Sequence, residues 1–324
     1  MTELTPQQQF DNIVSTYLEN INTLTDKTPE FEIRFGTKGY RKISKNNFDD
    51  VVQRLKSFGM VMISNNAPSL KMKSEYTNKE TGETKQSNVR VEINGLHQIQ
   101  EYCKLNTIDT DRIHPTFVQK SAVFINDKKI RPVDINDYNL RADFQTEKFV
   151  QPRSSFAQNI KSNWNDNKKT FRYITRTTFQ HRDYPIRFDL SIVKEGKTEE
   201  VEFRGRKQLH QKPEYTIEAA DVFNDIEKYE IELEVVNNLV GAGTEFNDVK
   251  KLSNILKKAI RVILSGLQNT NYPVPYSEIN DIGIQYLKLV HKKDYNVKMR
   301  MRSNMFLGPQ PVTLQMIHIS PLND

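Results

Sequence analysis

Hydrophobic and polar residues alternate along most of residues 30–236, and a period of two predicts β-strands. The alternation recurs often enough for about eight strands or more. Turn-like sequences such as NKETGE, INDKK and VKEGKT separate some of the segments, which favours antiparallel hairpins over crossover helices. The alternating segments are EFEIRFG, KMKSEYTN, SNVRVEIN, TFVQKSAVFI, YNLRADFQ, KTFRYITRTTF, YPIRFDLSIVK, TEEVEFRGR and KYEIELEVV.

Apolar residues at helical spacing mark other segments of the chain. Residues 7–21 and 46–58 each have one apolar face, and a shorter helix is predicted near Cys103. A long helix over residues 248–267 follows the linker-like sequence VGAGTEFND and carries basic residues opposite its apolar face. The chain is therefore predicted to be α+β, with a large antiparallel sheet, amphipathic helices and a helical or mixed C-terminal segment.

The composition and charge of the chain exclude several classes of protein. The 324 residues are 36% hydrophobic and 27% charged, and none of the apolar runs approaches the ~20 residues of a membrane-spanning helix. The single cysteine, Cys103, excludes an internal disulfide, and the polar N-terminal sequence lacks the features of a signal peptide. We therefore expect a cytoplasmic protein. Its net charge of +6 favours a polyanionic partner such as nucleic acid or polyphosphate.

Two of the predicted strands carry rows of carboxylates. Glu30 and Glu32 share one face of EFEIRFG, and Glu230, Glu232 and Glu234 share one face of KYEIELEVV. Side chains two apart on a strand lie only ~7 Å from each other, so such rows repel unless cations lie among them. A solvated outer face would explain either strand alone. Two such rows in one sheet favour a common site.

Other strands carry the complementary charge. If about eight antiparallel strands close into a barrel, one face lines a lumen wide enough for side chains or one small ligand. With the polar faces inward, the lumen would be acidic on one wall and basic elsewhere, while the apolar faces would point outward beneath the helices. The basic candidates are Lys71, Lys73, Arg90, Arg141, Arg172, Arg176 and Arg187.

This arrangement predicts a ligand chemistry. Two carboxylate rows ~4.8 Å apart on neighbouring strands would offer only oxygen ligands, which Mg²⁺ and Mn²⁺ prefer. Arginine and lysine side chains opposite such a metal would grip a polyphosphate.

The motifs EFEIRFG, RFDLS and EIELE, in this order, resemble the three most diagnostic elements of the triphosphate tunnel metalloenzymes. More specifically, they resemble the RNA triphosphatase module of the mRNA capping enzymes of large DNA viruses, of poxvirus or mimivirus type. It covers about the first 236 residues, and SNVRVEINGLHQIQEYCKLN and NLRADFQTEK resemble further segments of the viral branch. The resemblance implies that residues 1–237 form an RNA 5′-triphosphatase tunnel domain.

The resemblance also implies residue roles in the acidic wall. Glu30, Glu32, Glu232 and Glu234 would bind Mg²⁺ or Mn²⁺, with Glu230 assisting, and a glutamate of this wall would orient the attacking water. The residues so implied to be catalytic are Glu30, Glu32, Glu230, Glu232, Glu234, Arg187 and Asp189.

On the basic side, the resemblance implies phosphate-binding residues. The family often has a lysine between the two arginines of the strand KTFRYITRTTF, where this chain has Ile174 or Thr175, so one phosphate contact departs from the family pattern. The implied phosphate-binding residues are Arg141, Arg172, Arg176, Arg187, Arg90, Lys71 and Lys73.

The implied reaction is metal-dependent hydrolysis of the γ-phosphate of 5′-triphosphate RNA, which gives a 5′-diphosphate end and phosphate in the first step of cap formation. A tunnel-fold nucleoside triphosphatase or tripolyphosphatase is an alternative. Another alternative is a non-catalytic module that binds RNA ends or docks within a capping complex.

The C-terminal part carries a separate resemblance. LQNTNYPVPYSE and FLGPQPVTL resemble the sequence leading into the guanylyltransferase domain of those capping enzymes, but their Lys-x-Asp-Gly motif is absent. We therefore expect residues 238–324 to be a linker helix and the start of a truncated guanylyltransferase domain. The expected partners are a triphosphate RNA end, the rest of that domain downstream, and a methyltransferase subunit, in the infected host cell, viral factory or virion and not at a membrane.

Overall fold

The computed structural model describes residues 4–24, 26–37, 41–77, 81–109, 111–203, 205–292 and 305–306. The chain divides into two compact units, Met1–Pro273 and Val274–Asp324. The helices are α1 (Pro6–Asn20), α2 (Lys45–Ser57), α3 (Leu96–Leu105), α4 (Ser155–Ser162), α5 (Ile217–Ala220), α6 (Val249–Leu267) and, in the second unit, α7 (Tyr276–His291). The strands are β1 (Thr28–Phe35), β2 (Val61–Thr77), β3 (Thr84–Gln86), β4 (Val89–Asn94), β5 (Thr116–Ala122), β6 (Phe124–Ile125), β7 (Lys128–Lys129), β8 (Val133–Ile135), β9 (Leu140–Val150), β10 (Lys169–Gln180), β11 (Ile186–Glu195), β12 (Thr198–Phe203), β13 (Arg206–Gln211) and β14 (Lys228–Val235).

Eight of these strands close into an antiparallel barrel, which confirms the predicted fold class. Their order is β1, β14, β11, β10, β2, β4, β5 and β9, and the whole length of β1 pairs back with β9. The short strands β8 and β3 attach to β9 and β2. The predicted strand TEEVEFRGR is not part of the barrel, because β12 pairs only with β13 in a separate hairpin.

The barrel is apolar outside and polar inside, as the alternation predicts. Phe31 and Ile33 of β1 are fully buried in an outer core that α1, α2 and α6 cover. In that core the ring of Tyr17 from α1 lies 5.1 Å from Phe31 and 5.3 Å from Phe144 of β9, measured between centroids. The amphipathic helices therefore bury the outer faces of the strands, which would otherwise meet water.

A second outer core covers another part of the barrel wall. Tyr102 of α3, Trp164 after α4 and Phe171 of β10 pack together there. Lys169 is fully buried beside them, where its ammonium lies 5.1 Å from the centroid of the Trp164 ring and donates to the Asn167 carbonyl at 2.7 Å. The two cores hold the barrel wall from different sides.

Side-chain caps define where the covering helices begin. Thr5 and Gln8 form a capping box at the start of α1, and Ser44 and Asn47 do the same for α2. The carboxylate of Asp248 accepts the Lys251 N–H at 2.8 Å at the start of α6. The predicted helices at residues 7–21, 46–58 and 248–267 thus begin within a few residues of their expected positions.

The domain assignment made from the sequence stays a prediction. The compact units divide after Pro273, and the predicted boundary between residues 237 and 238 precedes α6, which packs on α1 and α2. Apart from Phe306, the sequence FLGPQPVTL lies outside the described residues. Within the described part of the chain, none of the helices is both long and apolar enough to cross a membrane.

The contact between α2 and α6 generates a prediction. A Cβ atom added at Gly266 would lie 2.8 Å from the Cα of Val51, closer than backbone atoms tolerate. We expect Gly266→Ala to lower the free energy of unfolding by about 1–3 kcal/mol, because the helices must separate to accept the methyl group. Urea denaturation measures this change. Lys250→Ala, at an exposed position of the same helix, should stay within about 0.5 kcal/mol of the unmodified chain, and equal stability of the two variants would contradict the expectation.

Candidate active site

The two acidic strands are direct neighbours in the barrel. β1 pairs with β14 so that Glu32 lies opposite Glu234 and Arg34 lies opposite Glu232. Because the apolar residues of both strands are buried in the outer core, the alternating glutamates face the lumen. The structure therefore places the predicted acidic residues on one wall of the lumen, with Glu32 and Glu234 facing each other and Glu30 and Glu230 toward opposite ends of the strand pair. The five residues of this wall are Glu30, Glu32, Glu230, Glu232 and Glu234.

Three arginines reach this acidic wall from β10 and β11. Arg172 Nη2 lies 2.5 Å from Glu230 Oε2, and Arg187 Nη2 lies 2.6 Å from Glu234 Oε2. Arg176 spans β11 to reach Glu232, with Nη2 3.3 Å from Oε2. Each glutamate of β14 thus has an arginine of its own.

Asp189 and Ser191 of β11 orient Arg176. The guanidinium donates to Asp189 Oδ2 at 3.1 Å through Nη1 and to Ser191 Oγ at 3.1 Å through Nε. The hydroxyl of Thr178 donates to the other oxygen of Asp189 at 2.7 Å. Asp189 therefore holds the Arg176 guanidinium in place. Asp189 Oδ2 also lies 3.4 Å from Arg187 Nε.

Lys120 of β5 is central to the acidic wall and was missed by the sequence analysis. Its Nζ lies 2.6 Å from Glu30 Oε2, 3.5 Å from Glu32 Oε2 and 3.6 Å from Glu147 Oε1. Burial lowers the pKa of Lys120, but Glu32 and Glu30 outweigh it and raise that pKa above its ordinary value. No clear pattern marks Lys120, because alternation puts Val118 and Ala122 on its face of the strand.

Further polar residues of the lumen come from β1, β4 and β9 and are not among the site residues predicted from the sequence. Asp143 accepts from Arg34 Nη2 at 3.4 Å and from Gln145 Nε2 at 2.6 Å. Arg90 pairs with Glu92 and, at 3.4 Å, with Glu147. The pattern could have revealed these residues, since NLRADFQTEK and NVRVEIN alternate charged and apolar positions. The overlooked side chains are Arg34, Glu92, Asp143, Gln145 and Glu147.

Arg141 is placed apart from the other predicted phosphate-binding residues. It lies on the lumen-facing side of β9, opposite Arg34 of β1. Its guanidinium binds Asp134 of β8 through two hydrogen bonds, 2.7 Å from Nε and 2.9 Å from Nη2. This partner was not predictable from the alternation, because β8 is a short strand outside the barrel.

Burial and mutual repulsion raise the pKa values of three wall carboxyls. Burial raises the pKa of Glu30 to about 7, with Lys120 opposing the shift and Glu32 adding to it. Burial, opposed by Lys120 and increased by Glu232, raises the pKa of Glu32. Burial likewise raises the pKa of Glu234, against the pull of Arg187. Burial therefore disfavours the ionised forms of these three carboxyls, and their basic partners offset it only in part.

The ammonium of Lys73 lies among other cations of the lumen. Burial lowers the pKa of Lys73, and Arg90, Arg172 and Lys120 lower it further. Within the described part of the chain, neither an ion pair nor an attractive carboxylate is found for this ammonium. A bound anion would relieve the repulsion among these four cations.

Lys71 lies beside the position where the chain departs from the family pattern. Ile174 is buried on the lumen-facing side of β10, between Arg172 and Arg176, and belongs to neither outer core. Lys71, from the neighbouring strand β2, interacts electrostatically with Arg176 as well as with Glu92, which lies 3.7 Å away. Burial lowers the pKa of Lys71 to about 8. A lysine therefore reaches this region from β2.

The acidic wall suits a divalent cation by its donor chemistry. Among the described residues, no ready group of three Asp, Glu, His or Cys side chains is arranged around a common metal position. The predicted metal ligands are instead paired with basic side chains, as in the contact of Glu32 Oε1 with Arg34 Nε at 3.2 Å. All the donors are carboxylate oxygens, the preference of Mg²⁺ and Mn²⁺, and the raised pKa values of Glu30, Glu32 and Glu234 are what a cation would reverse.

Comparison with known proteins finds solved structures only. No protein-family model and no curated protein sequence matches the chain. The Mimivirus capping enzyme triphosphatase matches with 14% identity and a TM-score of 0.43, over 79% of this chain and 97% of its own. The S. pombe RNA triphosphatase Pct1 matches with 12% identity and a TM-score of 0.43, over 81% and 94%. The PH1012 protein from Pyrococcus horikoshii OT3 matches with 10% identity and a TM-score of 0.33, over 72% and 89%.

The first two of these neighbours are RNA triphosphatases, the class that the sequence motifs resemble. These likenesses transfer neither an activity nor a residue role to this chain.

The raised pKa of Glu30 predicts a pH dependence of stability. Its pKa is about 7 in the folded chain against an ordinary 4.5, so ionisation disfavours the folded state. Its stabilising contribution is complete below pH 4.5 and is lost as the pH rises through 7. Glu30→Gln should therefore gain stability relative to the unmodified chain between pH 5 and 8, by an amount on the order of 1–3 kcal/mol.

Urea denaturation in EDTA at several pH values measures this difference. Glu199→Gln, at an exposed position of β12, is the matched control and should follow the unmodified chain. A constant difference between Glu30→Gln and the unmodified chain across this pH range would contradict the expected titration.

Proposed function

We propose that this chain hydrolyses the γ-phosphate of 5′-triphosphate RNA, with Mg²⁺ or Mn²⁺ as cofactor, in the first step of mRNA cap formation. The observation that carries the proposal is the incomplete pairing of charge inside the closed barrel. Arg90, Arg172 and Lys120 repel the ammonium of Lys73, although each of the three also holds a carboxylate. The glutamates of β1 and β14 form a wall of oxygen donors in the same lumen. A triphosphate with its metal ion matches both imbalances.

The basic residues bind the phosphates. Lys73 is ready to do so, because within the described residues it holds no carboxylate. Arg172, Arg176 and Arg187 would exchange their glutamate partners for phosphate oxygens as the substrate enters. Lys71 would add a cation near Ile174, where the family pattern has a lysine on β10. Positioning and charge neutralisation are the main demands of phosphoryl transfer.

The acidic wall would hold the metal and serve the attacking water. Glu30, Glu32, Glu232 and Glu234 would be the ligands, and the ion would supply neutralisation of charge on the γ-phosphate. A carboxylate of this wall would accept the proton of the water. The water oxygen bonds to the γ-phosphorus as the bond to the bridging oxygen breaks, which leaves a diphosphate end and phosphate.

The wider setting is proposed on the sequence resemblance alone. It comprises a guanylyltransferase domain downstream in the same polypeptide, a methyltransferase subunit as a further partner, and action in the cytoplasm of an infected cell or in the virion.

Substrate comparison tests the proposal against its alternatives. Release of phosphate from triphosphate-ended RNA, ATP and tripolyphosphate is compared with Mg²⁺, with Mn²⁺ and with EDTA. The proposal requires metal-dependent release and the highest kcat/KM for RNA. Faster turnover of ATP or tripolyphosphate would favour a nucleotide or polyphosphate hydrolase. Tight, metal-independent RNA binding without turnover would favour a docking module.

Removing a wall carboxylate predicts a loss of activity. Glu32→Ala and Glu234→Ala should each lower kcat for phosphate release by about 100-fold or more, since each deletes an oxygen donor beside the γ-phosphate. Glu199→Ala, on the exposed β12, is the matched control and should keep full activity. Circular dichroism establishes that the variants are folded, and unchanged kcat in folded Glu32→Ala and Glu234→Ala would refute the role of this wall.

Removing Lys73 separates binding from folding. Lys73→Met should weaken binding of tripolyphosphate about 10-fold or more, because a charge-assisted contact is lost. The variant should melt at the same or a higher temperature, since a buried cation repelled by its neighbours is removed. Lys85→Met is the control, since Lys85 is exposed and pairs with Glu83 at 2.8 Å. A drop in melting temperature with unchanged affinity would show that Lys73 has a structural role instead.

A further inference from the structure

A cavity of about 440 Å³ lies on the outside of the barrel, and the proposed reaction does not use it. It is enclosed by the end of α2, the start of β2, the turn between β10 and β11, and α6. Met60, Ile186 and Val262 give it an apolar, buried floor. Its volume is within the range of small-ligand sites in proteins.

Aromatic rings form much of the cavity wall. The rings of His181 and Tyr184 contact each other there in a tilted arrangement, with centroids 4.6 Å apart and an angle of 31° between the planes. Phe58 and Tyr272 also line the cavity, although 54% and 76% of their surfaces are exposed. Exposed rings beside an apolar floor offer stacking faces, and every nucleobase has a flat face that stacks on such rings.

Cations border the same cavity. Lys258 is exposed on α6, and within the described residues it has no ion-pair partner. The guanidinium of Arg261 lies 5.9 Å from the centroid of the Tyr272 ring. Asp183 introduces a negative charge in the neighbouring turn, but Arg182 Nε lies 3.3 Å from its Oδ1. The border is therefore complementary to phosphate groups.

The cavity lies next to the lumen across the barrel wall. Ile186 of β11 lines the cavity, while the next residue, Arg187, faces the lumen and binds Glu234. Consecutive residues of a strand point to opposite faces, so the sheet alone separates the two sites at this position. If an RNA strand is held by its end in the lumen near Arg187, the cavity lies on the other side of the same part of the barrel wall.

We propose that this cavity binds a nucleobase of single-stranded RNA, with Lys258 and Arg261 contacting the flanking phosphates. The aromatic wall recognises the base, and the basic border recognises the backbone. The choice of RNA over another polyanion that carries bases rests on the proposed function. The inference that the cavity binds a base flanked by phosphates rests on its own side chains and does not depend on that function.

Binding of a 5′-hydroxyl RNA tests this site without involving a triphosphate. Fluorescence anisotropy with a single-stranded oligonucleotide should show at least a five-fold loss of affinity for Tyr272→Ala, through lost stacking. Lys258→Ala should weaken binding and make the slope of log affinity against log salt shallower by about one. Crosslinking with 4-thiouridine RNA should label peptides that contain Phe58, Tyr184 or Tyr272.

Matched controls exist elsewhere on the chain. Tyr215 is 50% exposed and has Lys168 5.6 Å from its ring centroid, which reproduces the Tyr272 and Arg261 pair away from the cavity. Tyr215→Ala should keep full affinity, as should Lys250→Ala on the exposed side of α6. Tyr272→Ala should also release phosphate from tripolyphosphate at the unmodified rate, because that substrate carries no base.

The outcomes distinguish this proposal from the proposed function. Equal losses for Tyr272→Ala and Tyr215→Ala, or equally tight competition by polyphosphate without bases, would overturn the nucleobase site. Absence of phosphate release from any triphosphate would overturn the reaction, yet a selective loss of RNA affinity in Tyr272→Ala would still support the cavity as a base-binding site.

Discussion

Charges enclosed by a sheet are stable only when groups of opposite sign face them, and this condition governs the lumen of the barrel. The pairs of Arg172, Arg176 and Arg187 with the glutamates of β14 satisfy it on one side. Lys120 satisfies it for Glu30 on the other. Replacing one member of such a pair by a neutral residue would leave the charge of the other uncompensated. The charged side chains of the lumen are therefore energetically coupled. The positions where the pairing is incomplete, around Lys73 and along the acidic wall, are where a charged ligand would be most strongly bound.

The polar lumen also dictates what surrounds the barrel. Because the inward positions are occupied by charged side chains, the apolar residues of the strands can be buried only by elements packed outside. The helices α1, α2 and α6 provide this cover on one side, and the cluster of Tyr102, Trp164 and Phe171 provides it on another. Within this cover, α6 and α2 approach each other closely where Gly266 meets Val51. The helical layer thus buries the apolar faces of the strands, while the charged residues of the candidate site are all carried by strands.

The sequence predicted the fold class and most of the lumen, because several strands alternate without interruption. Phe31, Ile33 and their charged neighbours are a case where both faces could be assigned before the structure was known. Lys120 was not predictable in this way, because the apolar residues Val118 and Ala122 lie on the same face of its strand and break the alternation of polar and apolar positions. The partner of Arg141 was equally hidden, because Asp134 comes from a short strand whose pairing depends on tertiary contacts. Strand order and register arise from packing, which a pattern along one chain does not contain.

Closure of the barrel limits which molecules can reach the charged interior. β9 pairs with β1 through eight consecutive residues, from Thr28 to Phe35 of β1, so the wall has no open side along that seam. A long polymer can therefore reach the lumen only through an end of the barrel. A circular molecule cannot be threaded into it, and an internal phosphate of a linear chain can enter only after a terminus of that chain has entered. Closure of the wall would thus favour chain ends without a side chain dedicated to rejecting internal phosphodiesters.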